Sequence, residues 1–171
     1  VGEWLNASLP LILCGLSMAF AARTGLFNIG AEGQYVVGLT AAQFVALYGP
    51  QIPGLHWMLA LLAAAVAGGI WGGVVGWLKA KFSVSEVVAT IMLNYVAFFA
   101  SRWLTMLIPG SNTYRTPSFP ATARLSNPLI NQLTNGSRLN LGLFVVILSC
   151  LVLWFVIEKT KLGFELRATG L

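Results

Sequence analysis

Long apolar runs alternate with short polar or glycine- and proline-rich segments along the chain. Because a transmembrane helix needs about 20 predominantly apolar residues, this pattern predicts an all-α polytopic membrane protein with about five transmembrane helices. The predicted spans cover about residues 9–22, 29–48, 55–78, 86–108 and 139–157. The runs on either side of residues 25–34 are each short for a complete crossing, so the pattern also predicts a broken helix near that segment.

The broken segment, residues 25–34, is the main candidate for a functional site. It has three glycines together with Asn28, Glu32 and Gln34. Polar or non-helical backbone at membrane depth is tolerated only where protein buries it or where it lines a water-filled cavity. An ionisable residue such as Glu32 there is a functional hypothesis by default, and broken apolar segments point to the substrate site of a transporter. The sequence therefore predicts that these three polar residues line a substrate path.

The third span has a stripe of small residues. Gly68, Gly72 and Gly76 follow one another at intervals of four residues, with Ala64 and Ala80 continuing the spacing. Small residues at this spacing line one helix face and allow close approach of a second helix. The stripe predicts helix packing, and we favour packing within one subunit over self-dimerisation.

The fourth span has a polar and small stripe. Glu86, Thr90, Asn94, Ala97 and Ser101 lie on one side of a helix by their spacing. Such a face contacts protein or a water-filled path. Thr90, Asn94 and Ser101 are therefore candidates for the substrate path, and hydrogen bonding of Thr90 and Asn94 between helices is the alternative. In the first turn, the carboxylate of Glu86 suits the positive end of the helix dipole better than substrate contact.

Composition supports a membrane protein. The chain is 57% hydrophobic and only 9% charged, whereas soluble domains are about 25% charged. The net charge of +5 does not indicate nucleic-acid binding, because the basic residues lie at the ends of apolar runs, where they anchor helices. Cys14 and Cys150 lack the spacing of metal ligands, and the lone His56 is interpreted as an anchor at the membrane interface rather than a catalytic residue, so no metal site is predicted.

The distribution of basic residues predicts the orientation. All four lysines fall on one side of the predicted membrane, and that side is assigned to the cytoplasm. The proline-rich loop 109–138 is then external, and residues 159–171 are cytoplasmic. Since the sequence stops within an amphipathic pattern near Arg167, we expect a longer membrane protein.

Three segments carry a resemblance to a known family. They are Gly25-Leu-Phe-Asn-Ile-Gly-Ala-Glu-Gly-Gln34, Lys79-Ala-Lys-Phe-Ser-Val-Ser-Glu-Val-Val-Ala-Thr-Ile-Met-Leu-Asn94 and Thr160-Lys-Leu-Gly-Phe-Glu-Leu-Arg-Ala-Thr-Gly170. In this order they resemble the permease subunits of bacterial nucleoside ABC importers, within the wider branched-chain amino acid, ribose and simple-sugar permease family. Ribose-type members typically have Gly-Ile-Asp-Leu-Ser in the first segment, whereas this chain has Phe27-Asn-Ile-Gly30, which favours a nucleoside.

The resemblance implies the partners of the chain. They are a second permease subunit, two cytoplasmic ATP-binding subunits and an extracytoplasmic substrate-binding protein, in the plasma (inner) membrane of a bacterium. The segment from Leu162, with Gly163, Glu165 and Arg167, matches the start of the coupling helix that docks on the ATP-binding subunit. No cofactor is expected in this chain, because ATP would be bound by the partner, and no Walker A pattern occurs here.

Several interpretations stay open from the sequence. Asn28 could cap the helix that resumes after the break, and Glu32 could accept hydrogen bonds from a ribose or could pair with Arg23. The importer could carry ribose or another simple sugar, and a broken helix equally permits a secondary transporter or channel. A membrane enzyme lacks support, because no hydrolase or metalloprotease motif occurs. A purely structural protein would leave Glu32 and the stripe of the fourth span unexplained.

Overall fold

The computed structural model describes residues 2–112, 115–123 and 142–169. In these residues the chain forms six α-helices, a short 3₁₀ helix and no strand longer than an isolated bridge. The helices are α1 (Gly2–Arg23), α2 (Ala31–Tyr48), α3 (His56–Phe82), α4 (Glu86–Met106), α5 (Gly142–Lys159) and α6 (Lys161–Thr169), and the 3₁₀ helix is Ala121–Ala123. The predicted all-α class is confirmed.

Four of the described helices are long and apolar enough to cross a membrane, namely α1, α3, α4 and α5. Helix α2 has 18 residues and is not among them. Its first two turns include Glu32 and Gln34, which lower its apolar character. A crossing by α2 as a fifth span therefore stays a prediction.

Several helix ends differ from the predicted ones: α2 begins at Ala31 instead of residue 29, α3 ends at Phe82 instead of residue 78, and α5 ends at Lys159 instead of residue 157. Helix α1 begins at Gly2 instead of residue 9, with Pro10 inside it. Proline inside a helix removes one backbone hydrogen bond, a loss that transmembrane helices tolerate. Helix α4 ends at Met106, two residues before the predicted end at residue 108.

Parts of the other predictions lie outside the described residues. They are positions 113–114 and 124–138 of the external loop, the start of the fifth span at 139–141, and residues 170–171 of the cytoplasmic segment.

The chain forms two compact units, one of residues 29–124 and one that combines residues 1–28 with 125–171. In the first unit, α2 packs against both α3 and α4. The backbones of α2 and α3 approach closely, because a methyl group added at Gly38 would lie 2.9 Å from the carbonyl oxygen of Ala64. Helix α2 is therefore the central element of this unit.

His56 is a buried anchor in the first unit. Its ring is 0% exposed, with Nε2 at 3.0 Å from the carbonyl oxygen of Val45 and Nδ1 at 2.8 Å from Oγ1 of Thr122. Since a carbonyl can only accept, Nε2 donates to Val45, and Nδ1 shares a hydrogen bond with the Thr122 hydroxyl. The anchoring role follows the sequence interpretation, but the anchor is protein rather than the membrane interface.

In the second unit, α1 packs against α5, and α5 packs against α6. The turn between α5 and α6 is fixed by Thr160. Its hydroxyl donates to the carbonyl oxygen of Val156 at 2.5 Å and accepts from the backbone N–H of Gly163 at 3.2 Å. The second contact satisfies one of the N–H groups that lack a partner at the start of a helix, so Thr160 acts as the cap of α6.

Candidate functional site

The predicted break is present between α1 and α2. Helix α1 ends at Arg23 and α2 begins at Ala31, so residues 24–30 are not helical. Gly25 has a φ angle of +71°, a left-handed conformation that glycine adopts at little cost. A polar, non-helical segment therefore separates the two helices.

A side chain of α4 holds the end of this segment and the start of α2. Asn94 Nδ2 donates to the carbonyl oxygen of Ile29 at 3.1 Å, and Asn94 Oδ1 accepts from the backbone N–H of Gly33 at 2.9 Å. The N–H groups in the first turn of a helix have no partner within the helix. Asn94 therefore supplies from a neighbouring helix the cap that a side chain just before α2 would ordinarily provide.

Asn28 does not occupy the N-cap position of α2. The N-cap residue is Gly30, and no side chain caps the helix from that position. Asn28 Nδ2 instead donates to Oγ of Ser17 in α1 at 3.1 Å. The reason is distance along the chain, because Asn28 lies two residues before the cap position and its side chain finds a partner in the preceding helix.

Gly33 allows α4 to approach α2 at this point. A methyl group at Gly33 would lie 2.6 Å from Asn94 Oδ1, 3.1 Å from Asn94 Cα and 3.3 Å from Trp71 Nε1. No side-chain carbon fits at the first of these distances without a shift of the neighbour. The close contact of three helices therefore depends on glycine.

Trp71 is a residue that the sequence analysis missed. Its indole nitrogen is buried beside Gly33 and has no hydrogen-bond partner among the described residues. A buried donor without an acceptor costs about 1–3 kcal/mol. In the sequence, Trp71 directly precedes Gly72 of the small-residue stripe of α3, and this position could have identified it.

The glycine stripe of α3 faces Gln34 of α2. A methyl group at Gly68 would lie 3.1 Å from the backbone oxygen of Gln34, and one at Gly72 would lie 2.6 Å from Gln34 Nε2. At Gly76 no described residue, apart from the local backbone of α3, has an atom within 4 Å of the added methyl group. The first two glycines thus contact a helix of the same chain, and Gly76 lies beyond this contact.

Glu32 lies on a different side of α2. It is exposed in the first turn, where a carboxylate is favourable for the helix dipole. Its carboxylate has no hydrogen-bond or ion-pair partner among the residues that the structure describes, and Arg23 pairs with Glu158. Tyr35 and Leu39, one and two turns further along α2, are also exposed, so this face of the helix remains open in the unit.

The remaining stripe residues of α4 are enclosed by protein. Thr90 is 1% exposed and donates to the carbonyl oxygen of Glu86 at 2.7 Å, and Ser101 is also buried. Glu86 in the first turn forms an ion pair with Lys79 of α3. Of the three path candidates on α4, only Asn94 reaches the broken segment.

The candidate coupling residues divide into exposed and inward-facing ones. Leu162 and Glu165 of α6 are exposed. Gly163 is buried against the last turns of α5, and Arg167 donates through Nη1 to Glu158 Oε2 at 3.3 Å. No group of His, Cys, Asp or Glu among the described residues could hold a metal ion.

The family described as "Branched-chain amino acid transport system / permease component" matches residues 1–171. The chain belongs to this permease family. With its four apolar helices of spanning length, the permease is a multi-pass membrane protein. The resemblance drawn from the three segments is thereby confirmed.

Three curated relatives are similar to this chain along almost its whole length. It is 46% identical over 99% of its length to the guanosine ABC transporter permease protein NupP of Bacillus subtilis, and covers 49% of that protein. It is 36% identical over 100% of its length to the nucleoside ABC transporter permease protein NupB of Lactococcus lactis, covering 49%. The glucose ABC transporter permease protein TsgB13 of Haloferax volcanii is 36% identical over 98% of the permease, which covers 46% of it.

The permease therefore spans about half the length of the curated relatives that it matches. No solved structure is similar to it at a significant level.

Proposed function

We propose that the permease forms part of the translocation path of an ATP-driven importer for nucleosides. The observation that carries this proposal is the 46% identity to a guanosine permease over 99% of the chain. The broken segment supports it, because it is polar, lies between two helices and ends in the open face of α2 that carries Glu32. Such a break is the kind of element that transporters use to contact a solute.

The residues of the site suit a neutral solute rich in hydroxyl groups. The carboxylate of Glu32 accepts hydrogen bonds from ribose hydroxyls. Gln34 faces Gly68 and Gly72 of α3, and Asn28 donates to Ser17 of α1, so these two amides would reach the solute only in a conformation that releases those contacts. Asn94 acts on the path by holding residues 29–33 in place, since both ends of its amide are engaged there. Thr90 and Ser101 would join the path only in a conformation that separates α4 from its neighbours.

The proposal includes the partners of the complex. Two ATP-binding subunits bind and hydrolyse ATP on the cytoplasmic side, where α6 is exposed through Leu162 and Phe164. A second permease subunit completes the path, and an extracytoplasmic binding protein delivers the nucleoside. The complex is placed in the plasma membrane of a bacterium, and this chain carries no cofactor of its own.

A simple sugar is the second candidate solute. The glucose permease of Haloferax volcanii is 36% identical to this chain, the same identity as the nucleoside permease of Lactococcus lactis. Uptake of labelled guanosine by cells that carry the intact importer tests both candidates, with unlabelled nucleosides, ribose and glucose as competitors. If only nucleosides compete, the proposal is supported. If a sugar competes, the solute of the importer is a sugar. If uptake persists without ATP, the importer is not driven by ATP.

The variant Glu32→Gln is expected to lower nucleoside uptake about tenfold with normal assembly, because a hydrogen bond to a charged acceptor contributes about 1.5–3 kcal/mol. The measurement is initial uptake rate per assembled complex. Glu3→Gln is the matched control, since Glu3 is also a first-turn glutamate, at the start of α1. If both variants transport alike, Glu32 does not contact the solute.

A further inference from the structure

Glu158 joins three helices of the second unit through one carboxylate. Its Oε1 lies 3.8 Å from Nη1 of Arg23, the last residue of α1, and its Oε2 lies 3.3 Å from Nη1 of Arg167 in α6. Each guanidinium uses a different oxygen. We name Arg23, Glu158 and Arg167 the Glu158 cluster.

The position of Glu158 is unfavourable for a carboxylate unless it is paired. It is the residue before the end of α5, where the helix dipole presents its negative end. The two arginines compensate for this, and both lie in the last turns of their own helices, where a cation is favourable. The carboxylate of Glu158 is therefore tolerated at the end of α5 because the two arginines pair with it.

The cluster contributes little to the stability of the fold. The side chains of Arg23, Glu158 and Arg167 are 62%, 37% and 36% exposed, and exposed ion pairs contribute at most about 1 kcal/mol. What the cluster sets is geometry. Helix α6 is fixed near its start by Thr160 and Gly163, and the pair of Arg167 with Glu158 is a second point of attachment one turn later, which fixes its direction.

Arg167 is further restrained within its own helix. Its Nε donates to the carbonyl oxygen of Gly163 at 3.3 Å, while Nη1 reaches Glu158. The guanidinium therefore faces the end of α5. The exposed side chains of α6 are Leu162 and Phe164, which are 64% and 69% exposed.

We propose that Glu158 is a positioning residue for the coupling of ATP hydrolysis to transport. It ties α6 to the end of α1, which directly precedes the broken segment. When an ATP-binding subunit displaces α6, the movement is transmitted through Glu158 to Arg23. From Arg23 it reaches the non-helical residues that begin at residue 24. Arg167 acts inside the chain, and Leu162 and Phe164 contact the ATP-binding subunit. This inference rests on the proposed function of an ATP-driven importer.

Charge reversal in the intact importer, reconstituted in liposomes, tests the proposal. Arg167→Glu and Glu158→Arg are each expected to lower the number of solute molecules moved per ATP hydrolysed by about fivefold or more, a typical size for coupling between sites. The triple variant Arg23→Glu, Glu158→Arg and Arg167→Glu restores both pairs with the charges exchanged and is expected to recover most of this ratio. Arg23→Gln, which breaks only the contact with α1, is expected to lower it as well.

Lys159→Glu is the matched control. It changes the charge by the same amount as Arg167→Glu at the neighbour of Glu158, but Lys159 lies over the ring of Trp154, with Nζ 5.9 Å from the ring centroid. Its ratio of transport to hydrolysis is expected to stay unchanged. The ratio is read with whichever solute the unmodified importer moves, so a failure of the nucleoside assignment does not affect the test.

Two results would overturn the proposal. If the triple variant is as defective as Arg167→Glu alone, Arg167 acts on the ATP-binding subunit directly. If the single variants reduce the amount of assembled complex and leave the ratio unchanged, the cluster serves folding and not coupling.

Discussion

The variant Gly33→Ala is expected to unfold at a lower temperature than the unmodified importer and to lose most of its uptake. The added methyl group would lie 2.6 Å from Asn94 Oδ1 and 3.1 Å from Asn94 Cα. The amide can rotate away only by giving up its contacts with Ile29 and Gly33, and the Cα atom can move only with α4. Overpacking costs about 1–3 kcal/mol, and each buried group left without a partner costs a similar amount.

Gly73→Ala is the control for this experiment, because no atom of the described part of the chain, apart from the local backbone of α3, lies within 4 Å of a methyl group at Gly73. Alanine is the better helix former, so this variant is expected to be at least as stable as the parent. The measurements are thermal unfolding of the purified complex and uptake per complex. In an Asn94→Ala background, Gly33→Ala should cost less than it does alone, since the oxygen it strikes is gone. Equal behaviour of Gly33→Ala and Gly73→Ala would mean that α2 and α4 are not held in close contact.

The variant Gly163→Ala is expected to separate ATP hydrolysis from transport. A methyl group there would lie 2.3 Å from the carbonyl oxygens of both Val156 and Ile157. These are backbone atoms at the end of α5, so α6 itself must tilt away. We expect uptake to fall more than about tenfold while ATP hydrolysis continues, because misplacement of a positioned element by about 1 Å can cost 100-fold in rate.

Gly15→Ala in α1 is the control in the same unit, since within the described residues no atom outside the local helix backbone lies within 4 Å of the added methyl group. Uptake and ATP hydrolysis are measured on the same liposomes. Parallel loss of both activities in Gly163→Ala would indicate that the variant fails to assemble. Normal activity of both would show that α6 does not need close contact with α5.

The sequence predicted the elements of the fold well, because a membrane imposes simple rules on it. Apolar runs near the thickness of a bilayer must be helices, and the glycines and polar residues of 25–34 cannot continue one. The helical class and the break therefore followed from pattern alone. Helix α1 begins earlier than the predicted residue 9, because its first two turns include the polar residues Glu3, Asn6 and Ser8, which interrupt the apolar run without ending the helix.

The partners of individual side chains could not be predicted in the same way. The spacing predicts the correct face of α4 for Asn94. Its two hydrogen-bond partners, however, are backbone atoms of Ile29 and Gly33, which lie 65 and 61 residues earlier in the chain. Spacing along one helix gives a face and not the atom opposite it. For the same reason the cap expected from Asn28 was assigned to a neighbour in sequence, when a neighbour in space provides it.

The packing of α2 against α3 and α4 has a consequence for the synthesis of the protein. It is the one long helix among the described residues that does not qualify as a membrane span by its own composition. Its first turn is satisfied only after α4 has been made, and its contacts with Gly68 and Gly72 require α3. We therefore expect α2 to reach the membrane before its packing partners have been synthesised. It then remains near the insertion machinery until α3 and α4 are inserted. The solute path is then completed only when α4, the last of these three helices in the chain, has been inserted.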